Sequence, residues 1–187
     1  MNVACIVLAA GEGRRMGRPK ALLPIGDTTF LARVVATARA AGCARVVAVL
    51  RDASVACDAE IVVNLRPEDG QLSSLKLGLR AAAGCEAAFA WPVDHPAVRV
   101  ETVRRVLAAA RPGRIVVPTF EGRGGHPTLF PRELFGELLA LPETDGARAL
   151  LAQRPDAVDR LPVDDAGVCR DVDSPEDYAK LERTNPS

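Results

Sequence analysis

The 187-residue sequence predicts an α/β fold, a mostly parallel sheet with helices on both faces. Three observations lead there. Short β-branched, apolar runs alternate with stretches whose apolar residues recur every three to four positions. The strand-like runs are apolar throughout, as strands buried on both faces must be. Hydrophobic residues make up 48% and charged residues 26%, the balance of an ordinary globular chain of one-domain length. A single domain over residues 1–183 is expected, with a frayed tail at 184–187.

Taken in order, residues 3–9 read as a first buried strand. The helix predicted over 29–41 puts Phe30, Leu31, Val34, Val35 and Ala38 on one face, with cap candidates at 27–29 and Gly42 as a stop. Strands follow at 45–50 and 60–64, a helix at 71–83 ended by Gly84, and a strand at 87–93. A helix at 100–110 stops at Arg111-Pro112-Gly113, before a strand at 114–117. The rhythm then changes. Residues 119–130 read as an irregular loop or hairpin around Gly122, Gly124 and Gly125, followed by short helices at 132–140 and 146–153. Late strands are expected at 158–162 and 168–172. A last helix spans 175–183, with Ser174 as N-cap, Pro175 at its first position, and Glu176 and Asp177 in its first turn.

Several function classes are disfavoured. Lys+Arg and Asp+Glu both number 24, so the formal net charge is zero, unlike a dedicated nucleic-acid binder. No signal peptide or membrane-length apolar run is visible. The five cysteines are odd in number and contain no C-x-x-C pair, which speaks against structural zinc and a disulfide framework. A reduced, cytoplasmic protein is expected.

The chemistry concentrates just after strands, where open α/β sheets bind ligands. The first strand runs into Leu8-Ala9-Ala10-Gly11-Glu12-Gly13-Arg14-Arg15-Met16-Gly17-Arg18-Pro19-Lys20. Residues without bulk let a backbone approach a ligand and turn N–H groups toward anionic oxygens, while Arg and Lys add counter-charge. Polyphosphate needs all three. A Walker loop is excluded because Lys20 is followed by Ala21 rather than Ser or Thr. A dinucleotide fingerprint starting at Gly11 and Gly13 puts Met16 where the third glycine belongs.

Asp94, within Pro92-Val93-Asp94-His95-Pro96, ends an apolar strand and is a candidate Mg²⁺ ligand. A cap for the helix near residue 100 is the plainer alternative, but several residues intervene. His95 reads as a local hydrogen-bonding partner. Asp173 is a second strand-terminal carboxylate, although an acid beside an N-cap also answers a helix dipole, and Asp171 alternates with it around Val172. Gly70, Ser73 and Ser74 could hold a ligand or simply cap a helix. Arg123-Gly124-Gly125-His126-Pro127 reads as an acceptor-side lid.

Together these segments resemble the molybdenum-cofactor nucleotidyltransferase family, the MobA-like group. The carriers are Leu8-Ala9-Ala10-Gly11 with Arg15-Met16-Gly17 and Lys20, Gly70 with Ser73-Ser74-Leu75, and Pro92-Val93-Asp94-His95-Pro96. Gly125-His126-Pro127, Asp145-Gly146 and Asp171-Val172-Asp173-Ser174-Pro175-Glu176-Asp177-Tyr178 follow in family order across nearly the whole chain. The resemblance implies a Rossmann-like, three-layer nucleotidyltransferase fold. It implies transfer of a nucleoside monophosphate from an NTP to a phosphorylated acceptor, with pyrophosphate released. Leu8, Ala9, Ala10, Gly11, Gly70 and Ser74 would line the nucleotide, Arg15 and Lys20 would neutralise phosphate, and Asp94 and Asp173 would hold Mg²⁺. Leu-Ala-Ala-Gly is similar to the cytidylyltransferase branch, whereas the guanylyltransferase branch carries Leu-Ala-Gly-Gly, so CTP leads GTP. Molybdopterin cofactor is the leading acceptor, and a molybdoenzyme a possible partner. A sugar- or polyol-phosphate acceptor, or a non-catalytic nucleotide-binding accessory protein for a molybdoenzyme, are the alternatives.

Overall fold

The computed structural model describes residues 1–13 and 16–184. One sheet organises it, with strand order β10-β7-β9-β6-β1-β4-β5. These strands are β1 (Val3–Leu8), β4 (Arg45–Leu50), β5 (Glu60–Val63), β6 (Ala87–Pro92), β7 (Ile115–Phe120), β9 (Thr128–Pro131) and β10 (Val158–Pro162). The short β8 (Arg123–Gly124) pairs with β7, and β2 (Pro24–Ile25) with β3 (Thr28–Thr29) forms a separate hairpin. β1 pairs in parallel with β4 and β6, β4 with β5, and β10 with β7. Only β9 runs against its neighbours among these seven, between β6 and β7. The sheet is therefore mostly parallel, as expected.

Period-two alternation divides each central strand between two cores. Val3, Cys5 and Val7 join one apolar cluster, and Ala4, Ile6 and Leu8 the other. The first cluster is completed by α1 (Phe30–Ala41), α3 (Val100–Ala108) and Leu181 of α6 (Pro175–Thr184). The second takes α2 (Gln71–Ala81), α4 (Phe135–Ala140) and α5 (Arg148–Gln153). Helices thus cover both faces. Gly78 lets α2 sit directly on β1, since a Cβ there would overlap Ile6. α1 is capped by Thr29, whose hydroxyl accepts from Ala32 N at 3.3 Å, and stops at Gly42 in the left-handed conformation.

Three expectations change. Of the two alternatives for 119–130, irregular loop or hairpin, the hairpin is the one found, and it is longer than expected: β7 extends to Phe120 and pairs with β8, and β9 follows to insert between β7 and β6. Residues 168–172 form no strand. A 3-10 turn, Ala166–Cys169, occupies part of that span because Asp165 caps it, accepting from Gly167 N at 3.0 Å. The 132–140 helix is a 3-10 turn followed by α4. Of the tail expected to fray, Thr184 closes α6 and 185–187 lie outside the described residues. Among the described residues, no helix is long and apolar enough to cross a membrane. The five cysteines are free thiols.

Candidate active site

The chain goes from β5 to β6 through α2, passing from one side of β1 to the other. This change of direction opens a crevice at the C-terminal ends of β1 and β6. β1 delivers Ala9, Ala10 and Gly11 to it, with Ala9 N still bonded to Val49 O at 2.9 Å. Gly13 adopts φ +63°, and a Cβ there would overlap the carbonyl of Arg18. The turn is therefore folded tightly on itself, which only glycine permits. Gly11 differs: a Cβ there would meet nothing within 4 Å, so its bareness leaves room rather than relieving a clash. After Pro19, a 3-10 turn (Lys20–Leu22) seats Lys20.

Lys20 closes the crevice electrostatically. Its Nζ donates to Asp94 Oδ2 at 3.0 Å and also to Asp173 Oδ1. The far Asp94 oxygen, Oδ1, lies 3.0 Å from His95 Nδ1, which must be the protonated nitrogen to donate to a carboxylate. Burial alone would raise the Asp94 pKa, but the His95 bond and the charges of His95 and Lys20 outweigh it and hold the carboxyl at about 2. Burial pulls the Lys20 ammonium down, yet the two aspartates win and its pKa rises. Lys20 and Asp94 are thus both ionised at neutral pH.

Backbone and side-chain bonds support the cluster. Val172 N donates to Asp94 O at 3.0 Å, tying the segment before Asp173 to the end of β6. Trp91 Nε1 donates to His95 O at 3.1 Å. Next to Asp173, the Ser174 hydroxyl accepts from Asp177 N at 3.2 Å and donates to Asp177 Oδ2 at 2.7 Å, a reciprocal cap for α6.

Two connected spaces meet here. A cavity of about 190 Å³ is lined by Leu8, Ala10, Gly11, Lys20, Ser74 and Asp94, among others. A wider cleft of about 670 Å³ shares Leu8, Gly70 and Gln71 with it and extends over Val117, Gly125, His126 and Phe130. His126 lines the wider cleft, with its ring 4.9 Å from that of His95, edge to face. Burial, with the charge of His95, pushes its pKa down to about 4, and its Nδ1 has no hydrogen-bond partner among the described residues.

Of the residues singled out in the sequence, Leu8, Ala10, Gly11, Gly70, Ser74, Lys20 and Asp94 share the smaller cavity, and Asp173 reaches it through Lys20. Ala9 does not line it and packs into the core beneath. Arg15 lies outside the described residues. Ser74 is nearly buried, its hydroxyl accepting from Asn64 Nδ2 at 2.9 Å, while Ser73 donates to Gly70 O. Asp94 caps no helix. That task at α3 falls to Asp165, which accepts from Arg99 N and Thr102 Oγ1. Asp171 lines a different groove, with Arg123 and Lys180. Sequence reasoning quoted Gly13 within the loop without a role of its own, and missed Gln71, which also lines the smaller cavity. Gln71 belongs to no phosphate motif, so no local signal marks it.

A divalent cation fits the donor set. Asp94 and Asp173 both bond one ammonium, so two carboxylates already converge where a hard cation takes one or two from the protein and the rest from water and phosphate. Among the described residues no group of three or more His, Cys, Asp or Glu forms a closed metal cage.

With this geometry in hand, the relatives can be set beside it. Residues 5–158 match the family model described as "MobA-like NTP transferase domain". The chain belongs to this family, and it is a nucleotidyltransferase of the MobA-like type with the Rossmann-like fold of that group. It is 35% identical to the nicotine blue oxidoreductase of Paenarthrobacter nicotinovorans, over 96% of each chain. It is 26% identical to the molybdenum cofactor cytidylyltransferase of Escherichia coli strain K12, over 94% of this chain and 93% of the other. The solved structure of Rv0371c from Mycobacterium tuberculosis H37Rv in complex with manganese is 29% identical. It covers 98% of this chain and 100% of its own, with a TM-score of 0.79.

Proposed function

We propose that the chain transfers a nucleoside monophosphate, CMP by preference, from a metal-bound NTP to a phosphorylated acceptor, molybdopterin cofactor being the leading one. The observation that carries this is the Lys20–Asp94–Asp173 cluster at the mouth of a glycine-walled cavity that opens into a larger cleft. The cavity suits a triphosphate and the cleft suits the acceptor. An oxygen of the acceptor phosphate attacks the α-phosphorus. A new P–O bond forms, the bond from the α-phosphorus to its bridging oxygen breaks, and pyrophosphate leaves with that electron pair. No proton need move, because the attacking phosphate is already anionic. The obstacle is charge, and Lys20 answers it with an ammonium at the cavity wall, free to turn to the phosphates once a cation takes the carboxylates. Asp94 and Asp173 would hold Mg²⁺, which when bound supplies further positive charge to the phosphates. His95 keeps Asp94 ionised and oriented. Ala10 places a methyl against the nucleotide and favours the smaller pyrimidine. The free thiols agree with a reducing cytoplasm.

The test is pyrophosphate release from CTP, GTP, ATP and UTP against a panel of phosphorylated acceptors, with Asp94→Asn as the control. Transfer of CMP that vanishes in the variant supports the reading; turnover indifferent to Asp94 removes it. A second reading, an oxidoreductase, is favoured by the 35% identity over 96% of each chain to a protein named nicotine blue oxidoreductase. Reduction of nicotine blue that is independent of NTP and survives Asp94→Asn would support it; no such reduction removes it.

A further inference from the structure

The larger cleft crosses the sheet. It begins at Leu8 on β1 and ends at Arg160 on β10, with β6, β9 and β7 between them. Four strand spacings place the two ends roughly 19 Å apart. Arg160 pairs in register with Val117, which lines the same cleft, and its guanidinium lies along the floor, Nη1 3.4 Å from where a Cβ on Gly124 would stand. Arg148, the first residue of α5, lines the cleft too, near enough to help depress the His126 pKa. Their neighbours on this face of the sheet are apolar: Val117, Phe130 and Ala90.

Neither guanidinium has an ion pair or hydrogen bond among the described residues. Lys76 behind the cleft shows the ordinary alternative, bonded to Leu141 O at 2.6 Å and Glu143 Oε1 at 2.9 Å. The cleft carboxylates are otherwise engaged as well: Glu143 with Lys76, and Asp145 accepting from Thr144 Oγ1 at 3.1 Å. Two unpaired guanidiniums over apolar walls and a glycine floor make a place for planar oxyanion recognition. At roughly 19 Å from the β1 end, that oxyanion cannot be the phosphate that reacts beside Lys20.

We infer that Arg160, at the far end of the cleft, and Arg148 on its wall form a second anion site, which takes an oxyanion at the distal end of an elongated acceptor. The inference rests on the cleft being the acceptor side, and it favours acceptors anionic at both ends over molybdopterin, whose pterin end carries no oxyanion. A small monophosphate would fill only the reacting end.

The probes are α,ω-alkanediol bisphosphates of graded length against the matching alkyl monophosphates, titrated by calorimetry with and without MgCTP. ω-Carboxyalkyl phosphates form a second arm that separates a carboxylate from a phosphate at the distal end. The wild type should bind a bisphosphate of matching span about tenfold tighter than its monophosphate. Arg148→Gln/Arg160→Gln should abolish that difference while leaving monophosphate affinity and the melting temperature unchanged, as both side chains are exposed. Equal binding of the two probe classes by the wild type, no binding of any bisphosphate, or discrimination that survives in the double variant overturns the site. So does a double variant that merely self-associates, the result expected if Arg160 only guards an edge strand. Pyrophosphate release is followed separately. Discrimination without transfer sinks the acceptor reading and keeps the anion site; transfer without discrimination sinks the site alone.

Discussion

Replacing Lys20 by methionine keeps the side-chain stem and removes the charge that Asp94 and Asp173 share. Two carboxylate oxygens bonded to one nitrogen lie within about 6 Å of each other, a repulsion of about 3 kcal/mol at an effective dielectric of 20 and under 1 kcal/mol in water. The Asp173 side chain is 47% exposed, so the screened end of that range applies and about 1 kcal/mol is expected. For a chain of this length that lowers the melting temperature by about 2–4 °C without divalent cation. Millimolar Mg²⁺ should restore the loss and stabilise the variant more than the wild type, because the ammonium no longer competes for the carboxylates. Turnover should move the other way. Losing one preorganised charge contact costs about 3–4 kcal/mol of transition-state stabilisation, or 10²–10³ in kcat. Thermal melts across a Mg²⁺ titration, paired with coupled pyrophosphate release, read both effects. Near-wild-type turnover, or identical Mg²⁺ dependence in the two proteins, would refute the reasoning.

His126 makes the fold acid-sensitive. Its folded pKa of about 4 lies below its unfolded value near 6.5, so the unfolded chain binds the proton first and stability falls as pH drops between those values. The loss is about 2 kcal/mol at pH 5, and His126→Gln should flatten the denaturation midpoint between pH 7 and 5; an unchanged slope counts against the buried neutral imidazole. Asp94 adds a second loss at lower pH, from the unfolded value near 3.8 down through about 2. Gly13→Ala should weaken MgCTP binding by about tenfold or more, as the turn must open to relieve the overlap with Arg18 and the positive φ. Wild-type affinity by calorimetry would show that the turn tolerates a side chain. Asp165→Ala removes a buried carboxylate that accepts from Arg99 N, Thr102 Oγ1 and Gly167 N, and should cost about 3 kcal/mol in urea denaturation. A loss below 1 kcal/mol would mean that those donors find water.

The parallel framework was legible because its strands are apolar on both faces and its helices carry an apolar stripe: Val3 to Leu8 splits residue by residue between two cores. The antiparallel insertion of β9 was not. Thr128–Pro131 is four residues long and follows a glycine-rich stretch, so its place between β6 and β7 depends on long-range pairing that local pattern does not encode. The 168–172 region misled because Val168 and Val172 look strand-like, while Asp165 commits the backbone to a 3-10 turn. Within the candidate site, Lys20 and Asp94 were legible from chemistry at strand ends. That Lys20 would bond both aspartates was not, since the partners are 74 and 153 residues away. Arg148 and Arg160 stand in unremarkable sequence and acquire meaning only when the sheet lays them along one cleft.

A crystal grown with CTP and Mn²⁺, with anomalous diffraction recorded at the manganese edge, addresses the central claim most directly. The account predicts an anomalous peak bound by Asp94 and Asp173, with the triphosphate under the Gly11–Gly13 turn and Lys20 Nζ turned from the carboxylates toward its oxygens. Manganese and triphosphate bound elsewhere, with the Lys20–Asp94–Asp173 bonds intact, would contradict it.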